Sequence, residues 1–163
     1  MFDRESYRAD NCSVAGTLAL VGERWTFLVL REAFFGVRRF DDFQRLLGIA
    51  RNVLTARLST LVDAGILAKQ PYREHGSRER MEYRLTARGA ELVPAVLALM
   101  QWGDRHLTGP QGPPICPVHA GCGAPVKTRL TCAAGHDVGP HDVEPVAGPG
   151  ALMADPAPTS VIR

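Results

Sequence analysis

The sequence predicts a mainly α domain with a single β-hairpin, an α+β class, followed by a small tail of different make-up. Three observations lead there. Apolar residues recur at helical spacing in several blocks before residue 66 and again after residue 86. Between those blocks, "ILAKQPY" (66–72) and "RMEYRL" (80–85) read as strands joined by the polar tip "REHGSRE". Past Leu107 the composition breaks: ten of the twelve prolines and half of the sixteen glycines fall in residues 108–163, behind the linker "TGPQGPP".

The elements follow in order. Residues 12–22 form a first helix with Val14, Leu18 and Val21 on one side, ended by Gly22. Residues 24–35 form a second, mostly buried helix with Trp25, Leu28, Val29 and Phe35 inward, broken by Gly36. Asp41 or Asp42 can cap a short third helix, "DDFQRLL", that stops at Gly48. The fourth, within "ARNVLTARLSTLVDAGIL" (50–67), carries the apolar stripe Leu54, Leu58, Leu61 and Val62 and ends at Gly65. After the hairpin, Thr86 caps one long helix to about Leu107, with Leu92, Val93, Val96, Leu97, Met100 and Trp102 apolar. Pro94 falls in its first two turns, where proline costs less than in mid-helix. No internal repeat is present.

The net charge of +2 is uninformative, but its distribution is not. Residues 36–88 hold eleven Lys or Arg against six Asp or Glu, whereas residues 108–163 hold three against four. A local positive field suits a polyanion-binding face. The preference for Arg over Lys accords with genome composition, which does not explain the clustering. The longest apolar run, Leu92–Met100, is nine residues and contains Pro94, so no transmembrane segment is expected. The N-terminal "MFDRESYRADN" has no apolar signal core, which predicts a cytoplasmic protein.

A short helix, a tight glycine turn and a longer amphipathic helix are helix-turn-helix layout, and a hairpin directly after it is the wing of a winged helix. The second helix of such a pair enters the major groove with its N-terminal residues at base edges. The fourth helix (recognition helix 51–64) is suited to this: opposite its apolar stripe stand Asn52, Thr55, Ala56 and Ser59, flanked by Arg51 and Arg57, with no acid before Asp63. Those side chains hydrogen-bond bases and phosphates, and Ala fits against a thymine methyl. Arg51, Asn52, Thr55 and Ala56 are therefore assigned to base edges, and Arg57 and Ser59 to phosphates. Arg38 and Arg39 stand before the third helix as further phosphate contacts. In the wing (73–80), Arg73, Arg78 and Arg80 flank the tip, and Arg78 is the candidate for the flanking backbone or minor groove.

Residues 12–107 resemble the HxlR-type winged helix-turn-helix regulators of bacteria. The resemblance rests on "CSVAGTLALVGERWTFLVLREAFFGVRRFDDFQRLLGIARNVLTARLSTLVDAGIL", then "YRLTARG", then "WG", about three-fifths of the chain. It implies a homodimeric transcription factor, usually a repressor, paired through terminal helices such as the one bearing Leu92, Val96, Leu99 and Trp102. Such a dimer binds double-stranded DNA as an inverted repeat. The family often has Ser at the place of Ala50, so the cap of the recognition helix is expected to be weaker or supplied by the backbone.

Cys12 opens the first helix, where the helix N-terminus and Arg8 would both lower its thiol pKa; alternatively it is a small buried residue. Some HxlR-type regulators carry a redox-sensing Cys at this place. The tail, 115–147, offers Cys116, His119, Cys122, Cys132 and His136. Two clusters about ten residues apart can fold as facing knuckles around structural zinc. Long HxlR-type tails resemble this, with His-x-x-Cys-Gly, a strand, then Cys-x-x-Cys, but Gly135 stands at the last position here. Either His136 substitutes, Cys116 completes the set, or the segment is a plain β-hairpin. Residues 148–163 are expected to be disordered.

An enzyme is not expected: the chain lacks a paired acid/base set, a Gly-rich phosphate loop and a nucleophile with an evident base. No cofactor is required beyond the candidate zinc. The alternative to DNA readout is a winged helix serving as a protein-interaction module, which would not need an Arg-rich, acid-poor recognition helix.

Overall fold

The computed structural model describes residues 3–8, 10–74, 76 and 78–154, with Arg4 by its backbone alone. It divides into two compact units, Leu20–Arg129 and the described part of Met1–Ala19 with Leu130–Arg163. The larger unit extends well past the composition break at Leu107. The Gln101 side chain holds the later segment to the last helix, donating to the Val126 carbonyl (3.0 Å) and accepting from the Thr128 N–H (3.0 Å).

Helix α1 is Ser13–Val21, and of the apolar residues expected on one side of it, Val21 is buried while Val14 and Leu18 are exposed. Helix α2, Arg24–Phe34, is capped by a residue the sequence reading passed over. The Glu23 carboxylate accepts the N–H groups of Trp25 (2.9 Å) and Thr26 (3.1 Å), two of the donors left unpaired at a helix start. Val29, Leu30 and Ala33 form its buried face, with Trp25 only partly buried. Helix α3, Phe40–Leu47, begins before the aspartates expected to cap it. Its N-cap, Arg39, is held extended by a bridge to Glu82, so Asp41 and Asp42 fall in the first turn and favour the helix dipole instead.

Gly48 ends α3 in the left-handed region (φ 62°), donating to the Gln44 carbonyl at 3.0 Å. The chain then turns into α4, Arg51–Asp63. Ala50 at its N-cap makes no side-chain cap bond, and its carbonyl accepts from Leu54 N–H at 2.9 Å. Leu54, Leu58 and Leu61 are fully buried against Phe43, Val29, Leu30, Leu67 and Val96.

Strands β1 (Leu67–Tyr72) and β2 (Arg80–Leu85) pair antiparallel, from Leu67 opposite Leu85 to Tyr72 opposite Arg80. The segment before α3 joins the other side of β2, through the Arg39–Glu82 bridge and a 2.8 Å bond from Tyr83 N–H to the Arg38 carbonyl. That leaves β1 at the edge, where Pro71 is tolerated.

The long helix expected from Thr86 to Leu107 is instead two. Thr86 caps α5, Ala87–Ala90, by accepting from Gly89 N–H, and α6 runs Val93–His106 with Pro94 in its first turn. Proline has no N–H to bond the carbonyl four residues back and disfavours helical backbone in the residue before it. At position 94 that interrupts one helix and opens another.

In the larger unit the tail forms a small hairpin, with Val118 bridged to Pro125 and His119 N–H donating to the Ala124 carbonyl at 2.8 Å. In the smaller unit, β3 (Leu130–Thr131) pairs with β4 (Asp137–Val138) around Gly135. There the stretch 148–154, expected to be disordered, is tied to the N-terminal segment. Arg8 N–H donates to the Leu152 carbonyl and Ala154 N–H to the Ser6 carbonyl, both at 2.9 Å. Residues 155–163 lie outside the described residues.

Candidate nucleic-acid interface

Burial of the Leu54, Leu58 and Leu61 stripe forces the opposite face of α4 outward. Arg51, Asn52, Thr55, Ala56 and Ser59 are all exposed along it, which brings the expected base-reading residues together on one surface. Arg51 stacks its guanidinium over the Phe40 ring, 4.7 Å from the centroid, so its position at the helix start is fixed from α3. Thr55 donates its hydroxyl proton to the Arg51 carbonyl at 2.9 Å. Ser59 donates to Asp63 at 3.3 Å, so the hydroxyl assigned to phosphate is engaged within its own helix.

The surrounding cations divide into two groups. Arg38 and Arg78 are exposed, the first before α3 and the second just after the wing tip. Arg39 is exposed as well, but it stacks over Tyr72 (4.8 Å) and pairs with Glu74 at 2.6 Å, which aligns it with the wing. Arg57 departs from its assigned role. Its Nε lies 3.2 Å from Glu23 Oε2 without hydrogen-bond alignment, and the side chain is part-buried. It turns toward the cap of α2, so the phosphate contact expected of it competes with that ion pair. Glutamate is not among the residues that usually cap a helix, so Glu23 gave no strong helix-start signal in the sequence.

The cysteines and histidines form two pairs. His119 Nδ1 lies 3.2 Å from Cys122 Sγ, and Cys132 Sγ lies 3.6 Å from His136 Nδ1. Backbone N–H groups of His136 and Ala134 hold the Cys132 thiol below its ordinary pKa. Cys116 is exposed and joins neither pair, and among the described residues no group of three or more His, Cys, Asp or Glu gathers for a metal. Cys12 is exposed, just before α1, so the alternative of a small buried residue does not hold. Arg8, expected to act on that thiol, pairs with Asp10.

A helix-turn-helix, a bridged wing and an outer face on α4 with no acid before Asp63 make up the candidate interface, and the HxlR-like helix-turn-helix family model matches residues 20–110. The chain belongs to that family. An uncharacterized HTH-type transcriptional regulator of Mycobacterium tuberculosis is 49% identical over 146 residues, covering 89% of this chain and 91% of that protein. The regulator YdeP of Bacillus subtilis is 30% identical over 105 residues, 64% of this chain and 80% of its own. Among solved structures, PA1607, described only as a candidate transcription factor, superposes with a TM-score of 0.75 at 34% identity. That match covers 85% of this chain and 96% of the other, so it includes much of the tail. The oxidized form of the redox regulator HypR matches with a TM-score of 0.55 at 30% identity, over 60% of this chain and all of its own. Among the described residues no single helix is long and apolar enough to cross a membrane.

Proposed function

We propose that this HxlR-like regulator is a sequence-specific repressor that binds an inverted-repeat operator as a homodimer. Helix α4 enters the major groove and the wing lies on the flanking backbone or minor groove. The observation that carries the reading is the exposed face of α4, where Arg51, Asn52, Thr55 and Ala56 stand together with no acid among them. Apolar side chains left at the surface, Leu99 and Trp102 on α6 and Val14 and Leu18 on α1, supply material for the dimer contact. The test is selection of bound DNA from random sequence, followed by a salt titration on the selected and a scrambled duplex. Tight, salt-dependent binding to the selected duplex above the scrambled one supports the reading; no strongly salt-dependent binding to either would favour the protein-interaction module.

The exposure of Cys12 favours a second layer, thiol-based control of the same DNA binding. Loss of operator affinity on mild peroxide treatment, absent in Cys12→Ser, supports it; an unchanged response in that variant overturns it. For the tail we propose structural zinc, supported by the two Cys/His clusters in its sequence, whose thiols and imidazoles are the donor types such an ion takes. Elemental analysis should find zinc in the purified chain and none in Cys122→Ser or Cys132→Ser. A metal-free wild-type chain overturns it.

A further inference from the structure

The winged helix contains a cleft that DNA readout alone does not explain. It lies between the start of α3, the start of α4 and the two wing strands, with a volume of about 570 Å³. That is within the range of small-molecule sites. Four cations line it, Arg39, Arg51, Lys69 and Arg80, against one acid, Asp41. Asp41 is itself engaged, 3.7 Å from Arg80. Arg39 is neutralised by Glu74. Among the described residues no carboxylate pairs with Arg51, which rests on the Phe40 ring, or with Lys69 on β1. The cleft thus keeps unbalanced positive charge beside flat apolar walls, since Phe40, Tyr72 and Tyr83 also line it. Burial raises the Tyr83 phenol above its ordinary pKa, so that wall stays neutral.

We infer that this cleft binds a small planar organic anion, an aromatic carboxylate in class, and that its occupant excludes DNA. The carboxylate meets Lys69 and Arg51, while the ring lies against the aromatic side chains. Such charge-assisted contacts are roughly twice as strong as neutral hydrogen bonds. Arg51 is also the first residue of the recognition helix, so a ligand holding it removes a DNA contact. Occupancy and DNA binding then oppose each other by linkage. The regulatory half of the inference rests on the DNA-binding reading; the cleft itself does not.

The experiment titrates the full chain, without DNA, with benzoate and with the uncharged isostere benzamide, following backbone amide shifts by NMR. Benzoate should shift Lys69, Tyr72 and Tyr83 saturably, and benzamide should not. Lys69→Gln should weaken benzoate about tenfold, the order expected for one lost charge-assisted contact, and Lys69→Arg should restore it. Lys69 is exposed, so neither change threatens the fold. In a second arm, benzoate at about ten times its dissociation constant should weaken operator binding about elevenfold. No saturable shift, an equal response to benzamide, or an unaltered Lys69→Gln overturns the site. Saturable binding with unchanged operator affinity overturns the competition. Saturable binding in a chain with no salt-dependent DNA affinity upholds the cleft and overturns the reading of α4.

Discussion

Thr55 commits its hydroxyl proton to the Arg51 carbonyl, so toward DNA its oxygen is left as an acceptor. Asn52, one turn-neighbour away and exposed, keeps both amide donors and its carbonyl for a base edge. In the proposed readout the two residues therefore recognise different groups, and each is separable from the charges around it. Asn52→Ala should cost ~1–3 kcal/mol on the operator and almost nothing on scrambled DNA. Arg78→Ala should weaken both duplexes and lower the slope of log affinity against log salt by about one. Fluorescence anisotropy over a salt series distinguishes them; equal losses for Asn52→Ala on both duplexes would refute its base-edge role. The reading of α4 was accessible because an apolar stripe at helical spacing dictates which residues face out. Arg57 was not legible in that way, because its partner, Glu23, is separated from it by 34 positions and belongs to another helix.

At the scale of elements, the periodic helices and the hairpin were readable, and the junctions between them were not. The start of α3 depends on a bridge from Arg39 to Glu82, a long-range pairing that local propensity does not encode. The break between α5 and α6 was half legible. Pro94 was visible, but its effect on the residue before it was outweighed by the tolerance proline enjoys in a first turn. The packing of Gly89 could not be anticipated at all. A Cβ there would lie 2.2 Å from the Ile66 carbonyl oxygen and 2.8 Å from a Leu85 methyl, so only glycine lets α5 approach the wing. Gly89→Ala should therefore lower stability by ~1–3 kcal/mol, as overpacking does, although alanine favours helices elsewhere. Urea unfolding measures this; an unchanged midpoint would show that α5 moves aside freely.

In the proposed homodimer, two copies of α4 must face one side of a duplex. The dimer reading thus predicts half-sites one helical turn, ~34 Å, apart. Light scattering should report two chains, and changing the half-site spacing by half a turn should abolish tight binding. A monomer that binds one half-site as well as the repeat would sink the proposal. Composition located the tail but not its extent, since the larger unit keeps residues up to Arg129 through the two bonds from Gln101. One further property follows from the bond between Tyr83 N–H and the Arg38 carbonyl. It stitches the returning strand of the wing to the peptide that opens the helix-turn-helix, so the two cannot separate without breaking it. In deuterated solvent the Tyr83 amide should then exchange as slowly as that of Leu58 in the core, with or without DNA. Exchange at the pace of the hairpin tip would mean that the wing swings on a hinge. Slow exchange would mean that the spacing between groove and flank is built into the free protein, and that partners are matched against a fixed ruler.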